Sequence, residues 1–194
     1  MKKLIVTILV VAIVLFGTSF ALKSVGQAKA QQEHLWLMQT LLPDGTDFVV
    51  EPYTGEDANI RSVHKASNGY VIETVTYGYA DEITMYVGVN LDGRVTGLVV
   101  YEAHETMGLG NRALTDHVFL SQFLNESGTF AVSTAGTDAF SGATGETETA
   151  GDTVDVDAIT GATVTTKAVI RCVNSAVAYV TGADATSSAT TWEG

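Results

Sequence analysis

The chain has 194 residues, a formal net charge of −12 and a mean hydropathy of +0.21. From Ser24 onwards, 7 Lys and Arg residues stand against 22 Asp and Glu residues, a balance of −15 that argues against nucleic acid or anionic lipid as a partner. The single cysteine, Cys172, excludes an intrachain disulfide, and the four scattered histidines show no metal-ligand spacing, so no metal site is predicted.

The N-terminus carries an apolar segment. No charged residue occurs from Leu4 to Leu22, and 19 helical residues would extend roughly 28 Å, close to the roughly 30 Å of a hydrocarbon core. Residues 1–23 are therefore predicted to be a single transmembrane anchor. A cleavable signal peptide stays open as the alternative, because Ala28-Lys29-Ala30 has small residues where a cleavage site would have them.

Residues 24–66 are predicted to be a juxtamembrane helix followed by an irregular lead-in. The segment Gln31–Leu42 has the spacing of a short amphipathic helix, and Pro43-Asp44-Gly45 ends it with strong turn chemistry. From Phe48 to Ile60 a proline and a glycine interrupt any long element.

The main domain is predicted to span residues 67–182. Three runs rich in Val, Ile, Thr and Tyr favour a meander of antiparallel strands over Tyr70–Tyr77, Glu82–Val89 and Val95–Glu102. Asn90-Leu91-Asp92-Gly93 separates the second from the third and is a hairpin signal, with glycine where a positive φ is needed.

Loops and a helical pattern follow the strands. Two glycines within three residues of His104–Asn111 predict a tight loop, and Leu114–Leu124 has apolar residues at helical spacing. Residues 133–151 are rich in Ser, Thr, Ala, Gly and acidic residues, which predicts a low-complexity loop. Residues 183–194 are similar in composition and are predicted to be a flexible tail.

The last elements are a short strand over Thr153–Ile159 and a long helix over Val164–Val180, with Gly182 as its stop signal. One apolar stripe of this helix comprises Val169, Cys172, Val173, Ala176, Val177 and Val180. Cys172 is therefore expected to be a buried small hydrophobic residue. The whole pattern predicts an α+β fold, an antiparallel sheet with packed helices, preceded by one N-terminal transmembrane helix.

The segment VDAITGATVTTKAV, Val156–Val169, places two threonines around Gly161-Ala162 where the long helix starts. An ordinary N-cap is one explanation, because Thr and Asp side chains accept hydrogen bonds from free helix N–H groups. A phosphate site is the other, because those N–H groups and the helix dipole attract anions. Lys167, one turn into the helix, could add a counter-charge, and an ordinary solvated lysine is the alternative. The pattern alone leaves both explanations open.

This segment resembles the flavinylation motif of the FMN-binding domain family, in which Asp, two further residues, Ser or Thr, Gly, Ala and Thr or Ser follow one another. In that family the last hydroxyl carries FMN through a phosphoester bond, which a separate flavin transferase makes from FAD. The resemblance implies Thr163 as the attachment residue. It implies a recognition frame of Asp157, Thr160, Gly161 and Ala162.

A second stretch, GYADEITMYVGVNLDGRVTGLVVYEAHETMGLGN, is similar to the family's strand pair and its HETPGLG-type loop, with Met107 in place of the usual proline. The resemblance covers about Tyr70–Tyr179. Thr165 is either a phosphate contact or a helix cap, and the sequence leaves both roles open. The resemblance also implies that the flavin is approached by His104, Glu105, Thr106, Leu109 and Gly110. The alternatives are a surface pair for His104 and Glu105 and a plain turn for Gly108 and Gly110.

Within the family, the anchor, the length and the two motifs resemble the G subunits of Rnf electron-transport complexes. The related C subunits of sodium-pumping NADH:quinone reductases are also similar. The resemblance implies FMN as cofactor, an extracytoplasmic domain on a single-pass anchor in the cell membrane, and the other membrane subunits of the complex as partners. It implies electron transfer that couples ferredoxin oxidation and NAD reduction to ion movement, with no turnover by the subunit alone. A free-standing flavinylated shuttle and an anchored binding module without flavin are the alternatives.

A second copy of the motif occurs in the low-complexity loop, at Asp138–Thr144. The residues GETETAGD that follow it have no amphipathic helical pattern, so a phosphate on Thr144 would lack a helix N-terminus. Thr163 is therefore the predicted flavin site.

Overall fold

The computed structural model describes residues 29, 31–105, 110–133 and 153–182. The chain divides into two compact units, Met1–Leu37 and Met38–Gly194. In the first unit, the described residues from 31 onwards are helical. The predicted anchor, Thr144 with its motif and the predicted tail lie outside the described residues. Within the described part of the chain, no helix is both long and apolar enough to cross a bilayer.

Five strands form one antiparallel sheet in chain order: β1 (Val49–Glu51), β2 (Ile60–Ala66), β3 (Gly69–Tyr77), β4 (Glu82–Asn90) and β5 (Val95–Ala103). The last three confirm the predicted meander. Gly93 turns the β4–β5 hairpin with a φ of 77°. The side-chain oxygen of Asn90 accepts hydrogen bonds from the N–H groups of Asp92 and Arg94, which holds the turn.

The prediction of an irregular lead-in is wrong for β1 and β2. The sequence of β2 mixes charged and apolar residues, and its charged side chains find their partners on the neighbouring strands. Arg61 approaches Glu73 of β3 at 3.8 Å, and Lys65 approaches Glu51 of β1 at 3.2 Å. Strand formation here depends on these cross-strand neighbours, which a single segment does not reveal. The sheet therefore continues across the predicted boundary between residues 66 and 67.

Residues 31–41 form helix α1, which confirms the predicted helix. Its last residues belong to the second unit and lie directly on the sheet, where Met38 and Leu41 are buried. The Leu41 carbonyl oxygen accepts a hydrogen bond of 2.6 Å from the Thr96 hydroxyl. A Cβ on Gly88 or Gly97 would collide with the Leu41 backbone, so the two glycines permit this close approach.

The remaining elements are α2 (Gly110–Thr115), α3 (His117–Ser121), β6 (Thr129–Val132), β7 (Thr153–Val156) and α4 (Thr163–Thr181). Strands β6 and β7 pair in parallel as a separate two-stranded sheet. The helical pattern over Leu114–Leu124 is divided between α2 and α3. The Asp116 carboxylate accepts hydrogen bonds from the N–H groups of Val118 and Phe119 and so caps a new helix.

Helix α4 packs on β3, β4 and β6 and forms the centre of the core. Its predicted stripe is buried from Val169 to Val177, Val180 is partly buried, and Cys172 is fully buried as predicted. Each buried aliphatic side chain stabilises the fold by about 1.5–3 kcal/mol. Gly182 ends the helix in the left-handed conformation with a φ of 70°. The α+β class with an antiparallel sheet and packed helices is confirmed.

Candidate functional site

Helix α4 begins without a side-chain cap. Its N-cap residue is Ala162, with φ −124° and ψ 31°, and no side chain bonds to the first turn. The N–H of Thr166 makes the first bond of the helix, to the Ala162 carbonyl at 2.8 Å. The N–H groups of Thr163, Val164 and Thr165 precede it and have no intrahelical acceptor. Of the two explanations that the sequence left open for this helix start, the ordinary Thr or Asp cap is therefore not the one observed.

A tight turn brings the chain from β7 into this helix start. Gly161 has a φ of 82°, which residues with a side chain rarely adopt. The Ala162 N–H donates to the Ile159 carbonyl at 2.9 Å, and the Ile159 N–H donates to the buried Thr166 hydroxyl at 3.4 Å. As a result Ala162 is buried, whereas Thr163 presents an exposed side chain at the first position of α4.

A cavity of about 390 Å³ opens at the start of α4. It is lined by Tyr79, Gly110, Gly161, Ala162, Thr163, Val164 and Thr165. Sites for small molecules usually occupy about 300–1,000 Å³, so this cavity is of the right size for one. Tyr79 comes from the turn between β3 and β4 and is not among the residues that the sequence predicted. An aromatic residue within the Gly-Tyr-Ala-Asp segment between two predicted strands was the sequence signal that could have indicated it.

The Glu105 carboxylate joins three elements next to this cavity. Its Oε1 accepts hydrogen bonds from the N–H groups of Tyr79 at 2.7 Å and Ala80 at 3.2 Å. Its Oε2 accepts one from the buried Thr165 hydroxyl at 3.2 Å. Glu105, two residues after the end of β5, thereby ties the β3–β4 turn to the first turn of α4.

Two glycines make room for that carboxylate. A Cβ on Gly78 would overlap Oε1 of Glu105, and a Cβ on Gly110 would overlap Oε2 and lie 3.0 Å from the Thr165 hydroxyl. Neither glycine has a positive φ, so the requirement is for space and not for an unusual backbone conformation. Gly110 belongs to the predicted loop motif, and the lack of space for a side chain there gives a steric reason for glycine.

Gln122 holds the first residue of the flavinylation motif. Its side-chain oxygen accepts a hydrogen bond from the Asp157 N–H at 2.8 Å, and its side-chain nitrogen donates to the Asp157 carbonyl at 3.3 Å. The Asp157 side chain itself is left exposed. Gln122 follows α3 and lies 35 residues before Asp157 in the chain, so no local pattern indicated it.

Two basic residues continue the exposed side of α4 beyond Thr163. Lys167 is exposed and makes no ion pair with any of the described residues. Arg171 donates to the Tyr77 carbonyl at 2.9 Å and to the Thr76 hydroxyl at 3.3 Å, which ties α4 to the end of β3. Lys167 therefore places a positive charge one helical turn from Thr163.

The structure brings together only part of the predicted site. Five of the predicted residues line the cavity: Gly110, Gly161, Ala162, Thr163 and Thr165. Glu105 does not line it but accepts a hydrogen bond from Thr165. Thr165 bonds to Glu105 and does not cap the helix. His104 and Thr160 are exposed and do not line the cavity, and Thr106 and Leu109 lie outside the described residues.

The sequence pattern of the FMN-binding domain family matches residues 78–178, which is just over half of the chain. The chain belongs to this family. The G subunit of the ion-translocating oxidoreductase complex of Methanosarcina acetivorans is 33% identical over 166 residues, covering 79% of this chain and 77% of that one. The G subunit of the Na⁺-translocating ferredoxin:NAD⁺ oxidoreductase complex of Acetobacterium woodii is 34% identical over 110 residues, covering 56% and 47% respectively. NqrC of Shewanella oneidensis, a solved structure, has a TM-score of 0.42 at 26% identity, covering 70% of this chain and 64% of that one.

The family's cofactor, FMN, fits the residues that are present. A phosphate needs hydrogen-bond donors and a positive field, and the uncapped start of the 19-residue helix α4 provides both. Among the described residues, those that line the cavity beside it are Tyr79, a valine and residues with small side chains, which leaves space for a flat ring system. The resemblance of the TGAT segment predicted FMN as the cofactor of this chain, and the match to the FMN-binding domain family confirms that prediction.

Proposed function

We propose that the chain is the membrane-anchored electron-transfer subunit of an Rnf-type ferredoxin:NAD oxidoreductase complex, and that it carries FMN on Thr163 through a phosphoester bond. One observation carries this proposal. The exposed Thr163 hydroxyl stands at the uncapped start of α4, at the wall of the 390 Å³ cavity. A helix cap needs no such cavity, whereas a tethered cofactor needs an exposed hydroxyl for attachment and a cavity to hold its ring.

Each residue of the motif has a separate task in this proposal. The N–H groups of the first turn of α4 hold the phosphate, and an anion placed there gains about 0.3–1 kcal/mol from the helix dipole. Gly161 and Ala162 allow the phosphate to approach the backbone. Lys167 adds a counter-charge from one turn away. The exposed Asp157 and Thr160 are open to contact by the flavin transferase.

The protein contributes position and shielding, because FMN itself supplies one- and two-electron redox chemistry. No acid–base pair is needed for that task, and the subunit alone is not expected to turn over a substrate. A covalent tether keeps the cofactor at a high local concentration next to its cavity. This matters on the extracytoplasmic side of a membrane, where a dissociated cofactor would be diluted away.

The membrane part of the proposal rests on the sequence. The uncharged segment Leu4–Leu22 is long enough to anchor the domain, and the relatives that resemble the chain are subunits of ion-translocating complexes. We therefore propose the other membrane subunits of such a complex as partners. Extraction of membranes at alkaline pH tests the anchor. A retained anchor keeps the protein in the pellet, whereas a cleaved signal peptide releases it.

The intact mass of the protein, co-expressed with a flavin transferase, tests the flavin site. Attachment replaces the hydroxyl hydrogen of Thr163, so the mass should increase by one FMN less one water. Thr163→Ala should abolish the increase. Thr163→Ser should retain it, because serine keeps the hydroxyl, and Thr144→Ala should have no effect. In-gel flavin fluorescence after denaturation gives the same comparison independently.

The outcomes separate the alternatives. Flavin lost only in Thr163→Ala supports the proposal, and co-purification of membrane subunits then distinguishes a complex subunit from a free-standing shuttle. An unmodified mass in the wild-type protein returns Thr163 to the role of an ordinary helix residue. That result would favour an anchored binding module without flavin.

A further inference from the structure

Tyr79 is the aromatic residue in the lining of the 390 Å³ cavity. It lies in the turn between β3 and β4, and its side chain is 71% exposed. Among the described residues its ring makes neither a hydrogen bond nor an aromatic contact. Aromatic side chains usually contribute to stability by burying their large surface, so an exposed ring next to a cavity has no evident structural task here.

The backbone of Tyr79, in contrast, is held firmly. Its N–H donates to the Glu105 carboxylate at 2.7 Å, a charge-assisted hydrogen bond, and the neighbouring N–H of Ala80 donates to the same oxygen. The Gly78 N–H closes the turn on the Asp81 carbonyl at 2.9 Å. The turn is thus fixed relative to the start of α4, because the other oxygen of Glu105 bonds to Thr165. The Tyr79 backbone is therefore held in place while its ring stays exposed, so the ring can stack against a bound molecule.

We propose that Tyr79 covers the flavin ring while the flavin's phosphate is held at Thr163. This inference rests on the function proposed above and adds a residue that the flavinylation motif does not contain. Tyr79 and Thr163 line the same cavity and come from two different elements, the β3–β4 turn and the start of α4. An electron-rich phenol ring is a suitable face for a flat, electron-poor ring system, and offset stacking is the favoured geometry between such rings.

Glu105 is then a positioning residue and not a direct flavin ligand. Its carboxylate is occupied by two N–H groups and one hydroxyl, and it sets the separation between the Tyr79 ring and the phosphate site. The glycines at positions 78 and 110 are needed because that carboxylate fills the space where their side chains would be.

Native flavin fluorescence tests the role of Tyr79. A phenol in contact with an excited flavin donates an electron to it and takes it back, which quenches the emission without net chemistry. Phenylalanine keeps the ring but is too hard to oxidise. Tyr79→Phe should therefore raise the native fluorescence per attached flavin severalfold. Tyr77→Phe is the matched control, because Tyr77 is 69% exposed, lies two residues away and does not line the cavity.

Acrylamide, a neutral quencher, tests the cover by a second route. Tyr79→Ala should make the attached flavin more accessible, so acrylamide should quench its fluorescence more steeply than in Tyr79→Phe, which also lacks the quenching phenol but keeps the covering ring. The flavin content of every variant is measured after denaturation, so a folding or attachment defect is visible separately. In the unfolded protein Tyr79 is not held against the flavin, so the emission of unfolded protein is the reference for unquenched fluorescence.

Each result bears either on the role of Tyr79 or on the proposed function. Brighter native emission in Tyr79→Phe alone, with steeper acrylamide quenching in Tyr79→Ala, supports the inference. Flavin attached at Thr163 with equal emission in the wild type and both Phe variants overturns it and leaves the proposed function intact. An equal rise in Tyr77→Phe also overturns it. Absence of flavin from the wild-type protein overturns both the inference and the function on which it rests.

Discussion

The Glu105 carboxylate accepts a hydrogen bond of 3.2 Å from the hydroxyl of Thr165, a residue 60 positions further along the chain. This contact joins the end of β5 to the first turn of α4. Thr165 is buried, with 1% of its surface exposed, so no water can replace the carboxylate as acceptor without rearrangement. The position of the α4 start, and with it the candidate FMN site, therefore depends on Glu105.

Removing the Glu105 carboxylate should destabilise the domain. Glu105→Ala leaves the Thr165 hydroxyl and the turn N–H groups without their acceptor, which should lower the free energy of unfolding by about 1–3 kcal/mol. Glu105→Gln keeps one acceptor oxygen and should cost less. Urea unfolding of both variants measures the effect. Glu102→Ala is the control, because Glu102 is exposed on β5, three residues before Glu105, and its side chain makes no hydrogen bond or ion pair with the described residues. An equal effect of the two alanine variants would contradict the prediction.

Gly78 and Glu105 should be energetically coupled. A Cβ on Gly78 would overlap Oε1 of Glu105 and lie 2.7 Å from the Ile83 side chain, so Gly78→Ala should cost about 1–3 kcal/mol. In a Glu105→Ala background the overlapping oxygen is gone, and the same substitution should cost less. A double-mutant cycle by urea unfolding measures the difference, with an expected coupling of about 1 kcal/mol. Strict additivity would show that the glycine is not required by the carboxylate.

Gln122 should affect flavin attachment although it lies outside the motif. Gln122→Ala removes both hydrogen bonds to the Asp157 backbone, which should cost about 0.5–1.5 kcal/mol for each bond and slow attachment of FMN to Thr163. Gln122→Glu keeps the acceptor for the Asp157 N–H and should have a smaller effect. A time course of in-gel flavin fluorescence at a fixed amount of transferase measures the rate. Ser121→Ala is the neighbouring control, and a Gln122→Ala rate as fast as this control would refute the role.

Cys172 should make the fold sensitive to alkaline pH. Burial raises the pKa of its thiol from 9.0 to about 11. Between these values the unfolded chain loses the proton while the folded chain keeps it, so rising pH favours unfolding. The free energy of unfolding should fall by about 2–3 kcal/mol across this window and show no contribution from the thiol below it.

Urea unfolding at a series of pH values measures the slope. Cys172→Ala creates a small cavity whose cost does not depend on pH, so the variant should be less stable throughout but should lack the thiol's part of the slope between pH 9.0 and about 11. Burial also raises the pKa of Tyr86 from 10.0 to about 12, and that separate decline should persist in the variant. An unchanged slope in Cys172→Ala would contradict the assignment to the thiol.

Local patterns were enough to predict the elements that are strongly periodic. Strands β3 to β5 follow from their β-branched and aromatic residues, and the turn at Gly93 follows from the residue type that its positive φ requires. Helix α4 follows from one apolar stripe and its glycine stop at residue 182. In each case neighbours in the sequence determine the conformation, so the sequence by itself contained the answer. The flavinylation motif is equally local, and it pointed to the start of α4.

Only the tertiary structure decided the rest. Strand β2 exists because it pairs with β1 and β3 and buries residues such as Val63 in the core, and none of these partners lies within its own segment. The surroundings of Thr163 come from contacts that join residues 26, 35 and 60 positions apart: Glu105 with Tyr79, Gln122 with Asp157, and Glu105 with Thr165. A hydrogen bond between distant segments leaves no periodic trace in either of them. Such contacts exist only once the sheet and α4 have packed together, and it is this packing that places Tyr79 beside the TGAT turn.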